Sequence, residues 1–500
     1  MWLVIASGAV AVALVSPMSP TARGADRPNI LLIVSEDHGP ELGCYGDPFV
    51  RTPVLDRLAA DGIRFDRAFV TQAGCSSSRA SFLTGLYPHQ HGQVGLATWG
   101  FRLYRDDIPT LPRRLAAAGY RTGLIGKLHV NPEGAFPFDF KRLGISNFDR
   151  KDLAAYARHA AEFFAAGDAP FFLSINYPDA HDPRLRQIDG LPAVPLGADD
   201  VRALPGFGVD TPELRGHVAD YYNCLMRLDA LVGDLLSALE ASGKARDTLV
   251  IAMGDHGADM LRGKRTCYEG GLRIPLIARW PGKIAPGQVR RELVSSIDLL
   301  PTFLEVAGQP ADHALPGRSL VALFAPGTPA WREQLFAEYH TQATKRNVYP
   351  QRSVRDGRWK LIENLLPDEV NPGHDFTIEQ FPSAIEALAT APATVRAGYA
   401  TMRRPPRFEL YDLAADPHEF TNLAADPVHA AVRDRLAVAL EAWRRESADP
   451  LLDPALVRRF TEEVRGQPKK KEAAKHRWGY PDYFFGREPP AAAPAPGKAA

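Results

Sequence analysis

Acidic side chains follow two apolar segments that have the composition of buried strands. Glu36 and Asp37 come shortly after a segment that ends at residue 34, and Asp255 with His256 comes after one that ends at residue 253. Ligand sites in open α/β sheets gather beyond the carboxyl ends of the strands. A single acidic pair at such a point is more often an exposed turn or a helix cap. Two such strand ends, each closed by glycine, instead favour a hard-cation site for Ca²⁺ or Mg²⁺.

A lone thiol lies in the serine-rich segment GCSSSRASFLTG, residues 74–85, and its composition predicts a turn. Cys75 stands four residues before Arg79 in this segment. A small buried cysteine is a common core residue, and the segment by itself does not decide between that role and a chemical one. The role of Cys75 therefore has to be inferred from the motifs elsewhere in the sequence.

Cations and histidines follow two more strand-like segments or lie in a further glycine-bounded loop. Lys127 and His129 come just after residue 125, His181 comes after residues 171–177, and Lys264 precedes an arginine in the loop. Each of them alone is more often a solvated charge or a histidine satisfied inside the fold. Because Lys plus Arg equals Asp plus Glu at 59 each, any anion site must be built from local cations such as these.

These segments together resemble the sulfatase family of the alkaline-phosphatase-like superfamily. The family signature is Cys-x-(Pro or Ala)-x-Arg, and the sequence matches it at Cys75 and Arg79, with Ser77 at the third position. The resemblance implies that a formylglycine-generating enzyme oxidises Cys75 to formylglycine, whose hydrated aldehyde takes sulfate from an ester or an amide. The alternative is a catalytically silent binder of sulfated polysaccharides, in which Cys75 stays a thiol.

The resemblance also implies a role for each candidate residue. One divalent cation, usually calcium in the family, is held by the acidic pairs and by the converted cysteine, which gives the ligand set Glu36, Asp37, Cys75, Asp255 and His256. The cation polarises the sulfate oxygens.

The remaining residues of the family pattern handle the sulfate and the protons. Lys127 and Lys264 are expected to bind sulfate, and His129 is expected to bond to the formylglycine hydrate. His181 is expected to protonate the leaving oxygen or nitrogen, and Arg79 to hold the hydrate in place. Several cations around one point suit sulfate transfer, because the equatorial oxygens need strong electrostatic stabilisation.

Further segments resemble the heparan N-sulfatase (sulfamidase) branch of the family. This implies a sulfated carbohydrate substrate, with N-sulfoglucosamine the favoured sugar, although other sulfated polysaccharides fit too. The similarity covers roughly Pro28 to Pro450. The closest rival function is a phosphonate- or phosphate-ester hydrolase of the same superfamily. The segments concerned are residues 122–130, 137–140, 170–173, 352–354, 409–412 and 416–419.

The amino terminus has the pattern of a cleaved secretory signal over residues 1–25. Residues 1–22 carry no charge, and Pro17 and Pro20 end the apolar run well short of the ~20 residues of a membrane span. The sequence therefore predicts a secreted or periplasmic protein with no stable membrane span. Nothing in the balanced charge favours nucleic acid, and the oligomeric state stays open, with a dimer as one option.

Short apolar runs alternate with helical patterns, which indicates an α/β fold with a mostly parallel sheet. The resemblance adds a large, mixed sheet flanked by helices. We expect a catalytic domain over residues 26–345, a smaller C-terminal α+β domain over 346–465, and a Lys-rich, then Ala/Pro-rich tail over 466–500 that is disordered at its end. The predicted strands cover residues 29–34, 120–125, 171–177, 248–253, 274–280 and 408–413, with a hairpin at 353–362, and the predicted helices cover 53–62, 108–119, 220–242 and 430–446.

Four cysteines are too few and too scattered for a disulfide framework or a zinc ribbon. The sequence allows one bridge, either Cys44–Cys224 or Cys224–Cys267.

Overall fold

The computed structural model describes residues 27–144, 150, 152–343, 345–466 and 476–485. The predicted signal peptide and the Ala/Pro-rich end of the chain lie outside these residues. In the part that is described, no helix combines the length and apolarity needed to cross a membrane.

A mixed sheet forms the centre of the larger part of the molecule. Its core strands run parallel to one another, and β9(Leu276–Arg279) runs antiparallel to both of its neighbours. This confirms the predicted α/β class. Among the described residues the sheet has eight strands, in the spatial order β10(Gln288–Arg290), β2(Ile63–Phe65), β9(Leu276–Arg279), β7(Thr248–Gly254), β1(Asn29–Ser35), β6(Phe171–Tyr177), β4(Arg121–Gly126) and β5(Phe140–Arg142).

The central strands are apolar along their whole length because both faces of the sheet are covered. In β1, Ile30, Leu32 and Val34 enter one hydrophobic cluster, while Leu31 and Ile33 enter the cluster on the other face. Successive side chains of a strand point to opposite faces, so a strand with two covered faces cannot alternate apolar and polar residues. The apolar runs therefore identified these strands correctly.

Helices cover the sheet and build the periphery. The longest of the described helices, α6(Pro212–Ala241), begins earlier than the predicted residue 220. Thr211 caps it by accepting a hydrogen bond from Leu214 N (3.2 Å), and proline occupies its first position. The helices are α1(Pro53–Ala60), α2(Cys75–Thr84), α3(Pro88–His91), α4(Leu111–Ala117), α5(Ala155–Ala165), α6(Pro212–Ala241), α7(Glu269–Leu272), α8(Leu299–Val306), α9(Val321–Phe324), α10(Pro372–Ile378), α11(Pro382–Thr390), α12(Ala393–Arg403), α13(Ala430–Glu446), α14(Pro454–Arg465) and α15(Tyr480–Phe484).

The predicted strand over residues 274–280 is wrong as a single element. It is divided at Pro275, which has no N–H group to donate to a ladder. Its first part, β8(Arg273–Ile274), joins a small sheet with β3(Ala68–Phe69) and β11(Val294–Ser295), while its second part is β9 of the main sheet.

A separate antiparallel sheet forms the C-terminal part, as predicted. The predicted hairpin consists of β13(Gln351–Arg355) and β14(Trp359–Asn364), and α13 packs on the sheet through leucines at positions 436 and 440. The sheet begins at Leu335, before the predicted boundary at residue 346. Its strands are β12(Leu335–Tyr339), β13(Gln351–Arg355), β14(Trp359–Asn364) and β15(Phe408–Asp412).

The end of the described chain packs against the body of the protein. Trp478 stacks on Phe101, with ring centroids 4.4 Å apart, and Tyr480 donates a hydrogen bond to the carbonyl oxygen of Gly92 (2.8 Å). Part of the predicted tail is therefore folded. All four cysteines are free thiols, so neither of the two bridges allowed by the sequence is formed.

A buried ion-pair network joins the C-terminal sheet to the main body. Glu338 on β12 accepts hydrogen bonds from the backbone N–H of His89 (2.8 Å) and contacts its Nδ1 (2.7 Å). Arg352 lies 3.4 Å from the same carboxylate and pairs with Asp449. Burial alone would raise the pKa of Glu338, but His89 and Arg352 outweigh it and lower the pKa to about 2.

Glu338→Gln is expected to lower the free energy of unfolding by about 3 kcal/mol at neutral pH, because it leaves buried cations short of a counter-charge. A carboxyl with a lowered folded-state pKa stabilises the fold above its unfolded pKa of 4.5 and loses that effect as pH falls towards 2. Denaturant unfolding should therefore show a gap between the two proteins that narrows below pH 4.5. The control is Glu379→Gln, which removes an exposed pair with Arg346. If Glu338→Gln lowered the free energy of unfolding no more than Glu379→Gln does, the prediction would be contradicted.

Candidate active site

The two acidic strand ends meet at one edge of the main sheet. Strands β1 and β7 are neighbours in parallel register, with Ser35 opposite Gly254. The residues that follow them stay together, because the N–H group of Asp37 donates to Asp255 Oδ1 (2.9 Å). Both carboxylates are buried, so the pairing predicted from strand order places two acidic groups in one interior site.

Cys75 is the first residue of α2 rather than part of a turn. Gly74 precedes the helix with extended backbone, and its added Cβ would lie 2.4 Å from Gln342 Oε1, so a larger residue there would displace the end of the Gln342 side chain. Cys75 and Arg79 are four residues apart and lie on the same face of α2. The helix therefore directs both side chains to the acidic edge of the sheet.

Arg79 connects the parts of the site. Its Nε lies 3.1 Å from Asp255 Oδ2, and its Nη1 donates to Asn176 Oδ1 (2.7 Å) and to the carbonyl oxygen of Lys127 (3.1 Å). The guanidinium is completely surrounded by protein. It thus fixes the ends of three strands, β7, β6 and β4, relative to α2.

The sulfur of Cys75 faces His256 and Asp37. Its distance is 3.3 Å to His256 Nε2 and 4.0 Å to Asp37 Oδ1. Burial alone would raise the pKa of the thiol, but the cations Lys264, Lys127 and His256 outweigh it and hold the pKa well below its usual value. Burial likewise opposes the charged form of His256, but Asp255, the Cys75 sulfur and Asp37 raise its pKa to about 9.

Each of the two lysines pairs with an acidic residue that follows β1, and Lys264 Nζ also lies 3.4 Å from Asp259 Oδ2. Lys264 Nζ lies 2.9 Å and 3.1 Å from the two carboxylate oxygens of Asp37, and Lys127 Nζ pairs with Glu36 Oε2. Gly126, just before Lys127, has a positive φ of 89°, and its added Cβ would lie 2.1 Å from the carbonyl oxygen of Asn176. Only glycine permits this close approach.

The two predicted histidines lie at the same site, and both ring nitrogens of His129 are buried without a hydrogen-bond partner among the described residues. His181 lies with Glu36 and Cys75 in a group whose ligand atoms are within 4.8 Å of one another. Burial would lower the pKa of His181, but Asp37 and the Cys75 sulfur raise it above its usual value. Burial and Lys127 lower the pKa of His129 to about 4, although the nearby Cys75 sulfur favours its charged form. The geometry therefore brings together all the predicted site residues.

The donor set suits a hard cation. The buried Glu36 Oε1 accepts no hydrogen bond among the described residues, and Arg79 Nη2 lies 3.9 Å from it. Oxygen ligands without enough hydrogen-bond donors are the usual sign of a site for Ca²⁺ or Mg²⁺.

Comparison with known proteins decides the family. The family model "Sulfatase" matches residues 28–309, and the model "N-sulphoglucosamine sulphohydrolase, C-terminal" matches residues 254–391. Human N-sulphoglucosamine sulphohydrolase is 33% identical over 464 residues, covering 84% of this chain and 91% of the human protein. The chain belongs to the sulfatase family. It is therefore a hydrolase of sulfate esters or sulfamates.

Solved structures confirm the fold of this sulfatase. One, determined in complex with its substrate D-glucosamine-2-N,6-O-disulfate, has a TM-score of 0.63 and 21% sequence identity, covering 85% of this chain and 99% of that one. The phosphonate monoester hydrolase of Agrobacterium radiobacter has a TM-score of 0.64 and 22% identity, covering 84% of this chain and 96% of the other. At these identities the likeness concerns the fold alone.

Ser77, the departure from the family signature, has a hydrogen-bond partner in the folded sulfatase. Its hydroxyl accepts from Gln72 Nε2 (3.0 Å), which also approaches the carbonyl oxygens of Val94 and Thr341 (3.2 Å each). A buried hydroxyl that is hydrogen-bonded avoids most of the cost of its burial. The folded state therefore accommodates serine where the family has proline or alanine.

A buried clamp that sequence reasoning missed holds the loop that carries His181. Arg150 donates from Nε to Asp179 Oδ1 (2.6 Å) and from Nη2 to the carbonyl oxygen of His181 (2.8 Å). Arg227 on α6 binds both oxygens of Asp179 (2.6 Å and 2.8 Å) and the carbonyl oxygen of Leu185 (2.8 Å). The two guanidinium groups thus fix the backbone on both sides of the histidine.

The same loop is tied to the acidic edge of the sheet. The N–H group of Glu36 donates to the carbonyl oxygen of Asp179 (3.0 Å), and the N–H group of Ala180 donates to that of Glu36 (2.6 Å). Asn176 at the end of β6 could have been found by the strand-end rule. Arg150 and Arg227 carried no such signal, because distant charged residues look like ordinary surface charges in a sequence.

Proposed function

We propose that the protein is an exported, calcium-dependent sulfatase that removes sulfate from sulfated sugars, with N-sulfoglucosamine as the favoured substrate. The observation that carries the proposal is the convergence of Cys75, three cations and the acidic strand ends at one buried point. The match of the C-terminal model and the human relative support the choice of sugar. The predicted signal peptide supports export.

The residues present fit both of the groups that the family uses. Glu36, Asp37, Asp255 and His256 would hold the cation, which supplies Lewis-acid polarisation of the sulfate oxygens when bound. A formylglycine-generating enzyme would convert Cys75, and formylglycine supplies the attacking hydroxyl as a hydrated aldehyde. The converted residue would also face the cation, because Cys75 lies against Asp37 and His256.

The other side chains would bind the sulfate and move protons. Lys127 and Lys264 would neutralise the sulfate oxygens, and their pairing with the acidic residues aims both ammonium groups at the nucleophile. His181 would donate a proton to the leaving oxygen or nitrogen, and the Asp37 carboxylate, which raises the pKa of His181, favours its protonated form. His129 would hydrogen-bond to the group at position 75. Arg79 would keep the helix that carries the nucleophile in place.

The test combines mass spectrometry with a sulfate-release assay. Protein from the native host is digested, and the peptide of residues 68–79 is analysed for the aldehyde at position 75. The same preparation is then assayed on glucosamine N-sulfate, on O-sulfated sugars and on a phosphonate monoester. We expect the aldehyde and sulfate release, fastest from the sulfamate. A thiol with no turnover would instead support the silent binder, and a faster reaction of the phosphonate would support the rival hydrolase.

Calcium is expected to stabilise the protein with converted Cys75. At a free concentration about 100-fold above the dissociation constant, a ligand specific for the folded state adds about 2.7 kcal/mol to the free energy of unfolding. Thermal unfolding with EDTA and with added Ca²⁺ measures the shift. Asp37→Asn should abolish it, whereas Asp199→Asn, on an exposed residue, should not. An equal shift in both variants would contradict a site at Asp37.

A further inference from the structure

The unconverted thiol creates a different set of metal ligands from the one that formylglycine would give. Cys75 Sγ lies 3.3 Å from His256 Nε2 and 4.0 Å from Asp37 Oδ1, and those two atoms are 3.2 Å apart. All three side chains are buried. One sulfur, one imidazole nitrogen and one carboxylate oxygen are ligands that zinc prefers, whereas calcium prefers oxygen alone.

We propose that the form of this protein in which Cys75 remains a thiol holds a zinc-type transition-metal ion through Cys75, His256 and Asp37. This site goes beyond the proposed sulfatase function, because it belongs to the unconverted chain. With Zn–S bonds of about 2.3 Å and Zn–N and Zn–O bonds of about 2.0–2.2 Å, the ligand atoms of a tetrahedral site lie about 3.4–3.6 Å apart. The three observed separations differ from that range by at most about half an ångström.

The surroundings of His256 support its role as a ligand. Its Nδ1 lies 2.9 Å from the carbonyl oxygen of Gly257, which can only accept a hydrogen bond. Nδ1 therefore keeps its proton, and Nε2, which faces the sulfur, is the nitrogen that an ion would bind in exchange for the second proton of the ring. Histidine ligands of metals commonly use this arrangement, in which one nitrogen binds a carbonyl and the other the ion.

Asp37 can bind an ion without losing its present partner. Lys264 Nζ lies near both carboxylate oxygens, at 2.9 Å from Oδ1 and 3.1 Å from Oδ2. When Oδ1 turns to an ion, Oδ2 keeps the lysine. The carboxylate is therefore shared rather than displaced.

The charge of the site also depends on the residue at position 75. Three carboxylates face three permanent cations in this interior. A metal-bound thiolate adds one negative charge there, whereas a neutral formyl group adds none. Conversion of Cys75 thus removes both a soft ligand and a charge, and it changes the preferred ion from a transition metal to a hard cation. The groups concerned are Glu36, Asp37 and Asp255 against Arg79, Lys127 and Lys264.

Cobalt titration of the unconverted full-length chain tests the proposal. The protein is made in cells without a formylglycine-generating enzyme, and its mass confirms the thiol. Binding of one Co²⁺ should produce a sulfur-to-cobalt charge-transfer band and the intense visible bands of a tetrahedral site, and Zn²⁺ should displace the cobalt. Chain converted at Cys75 should give no charge-transfer band.

Variants identify the ligands. Cys75→Ser should abolish the charge-transfer band and weaken binding at least tenfold, and His256→Ala should weaken binding at least tenfold while keeping a sulfur band. Cys267→Ala removes another buried thiol and should leave the titration unchanged. An unchanged band in Cys75→Ser, or octahedral spectra in the parent, would overturn the proposal. The titration measures no turnover, so failure of the zinc-type site would not contradict the sulfatase function. Likewise, inactivity of the converted chain on sulfated sugars would not contradict the zinc-type site.

Discussion

Cys75→Ala is expected to lower sulfate release by about 10⁴-fold or more while the protein stays folded. The alanine side chain cannot be oxidised to an aldehyde, so the variant lacks the nucleophile, and binding of sulfate by the neighbouring cations alone does not cleave the bond. The change removes a single sulfur atom and leaves the ion pairs of Lys127 and Lys264 in place. Steady-state rates on a sulfated sugar, together with thermal unfolding, measure both effects.

The matched control is Cys267→Ala, because Cys267 is equally buried and lies outside the site. It should retain the parental rate. An alanine variant at position 75 that still hydrolyses the sulfated sugar would contradict the mechanism, since no other residue in the proposal replaces the nucleophile. Loss of folding in the variant is detected by the unfolding curve, and binding of sulfate by the folded variant then shows that the site is intact.

The acidic edge of the site was predictable from strand order alone. Two apolar runs ending at residues 34 and 253 had to be buried parallel strands, and the carboxyl ends of parallel strands meet. The structure places them as direct neighbours, with Asp37 hydrogen-bonded to Asp255. The local signal was sufficient here because a single rule about sheets connects two distant segments.

Features that depend on tertiary contacts could not be predicted in this way. Cys75 reads as part of a serine-rich turn, because serines are poor helix formers, yet packing against the sheet makes it the first residue of a helix. In the sequence nothing distinguishes Asp179 from an ordinary loop carboxylate, whereas in the structure two arginines enclose it. A sequence gives the charge of such residues but not their depth, so the clamp around His181 became visible only in the structure.

The clamp has a consequence that depends on the leaving group. Arg150 binds the carbonyl oxygen of His181 itself, whereas Arg227 independently holds Asp179 through two hydrogen bonds. Loss of Arg150 therefore loosens the backbone of the histidine without leaving Asp179 unpaired. A displacement of about 1 Å at a catalytic group can cost about 10²-fold in rate. Only reactions that need the proton of His181 should be affected.

Arg150→Ala is accordingly expected to slow the hydrolysis of sugar sulfates and sulfamates by about 10²-fold. Hydrolysis of 4-nitrophenyl sulfate should slow far less, because nitrophenolate departs without protonation. Values of kcat on the two substrate classes measure the difference, and Arg150→Lys should recover part of the loss. Arg158→Ala removes an exposed arginine that pairs with Asp152 and should change neither rate. Equal losses on both substrate classes would show that Arg150 supports the fold in general rather than the position of His181.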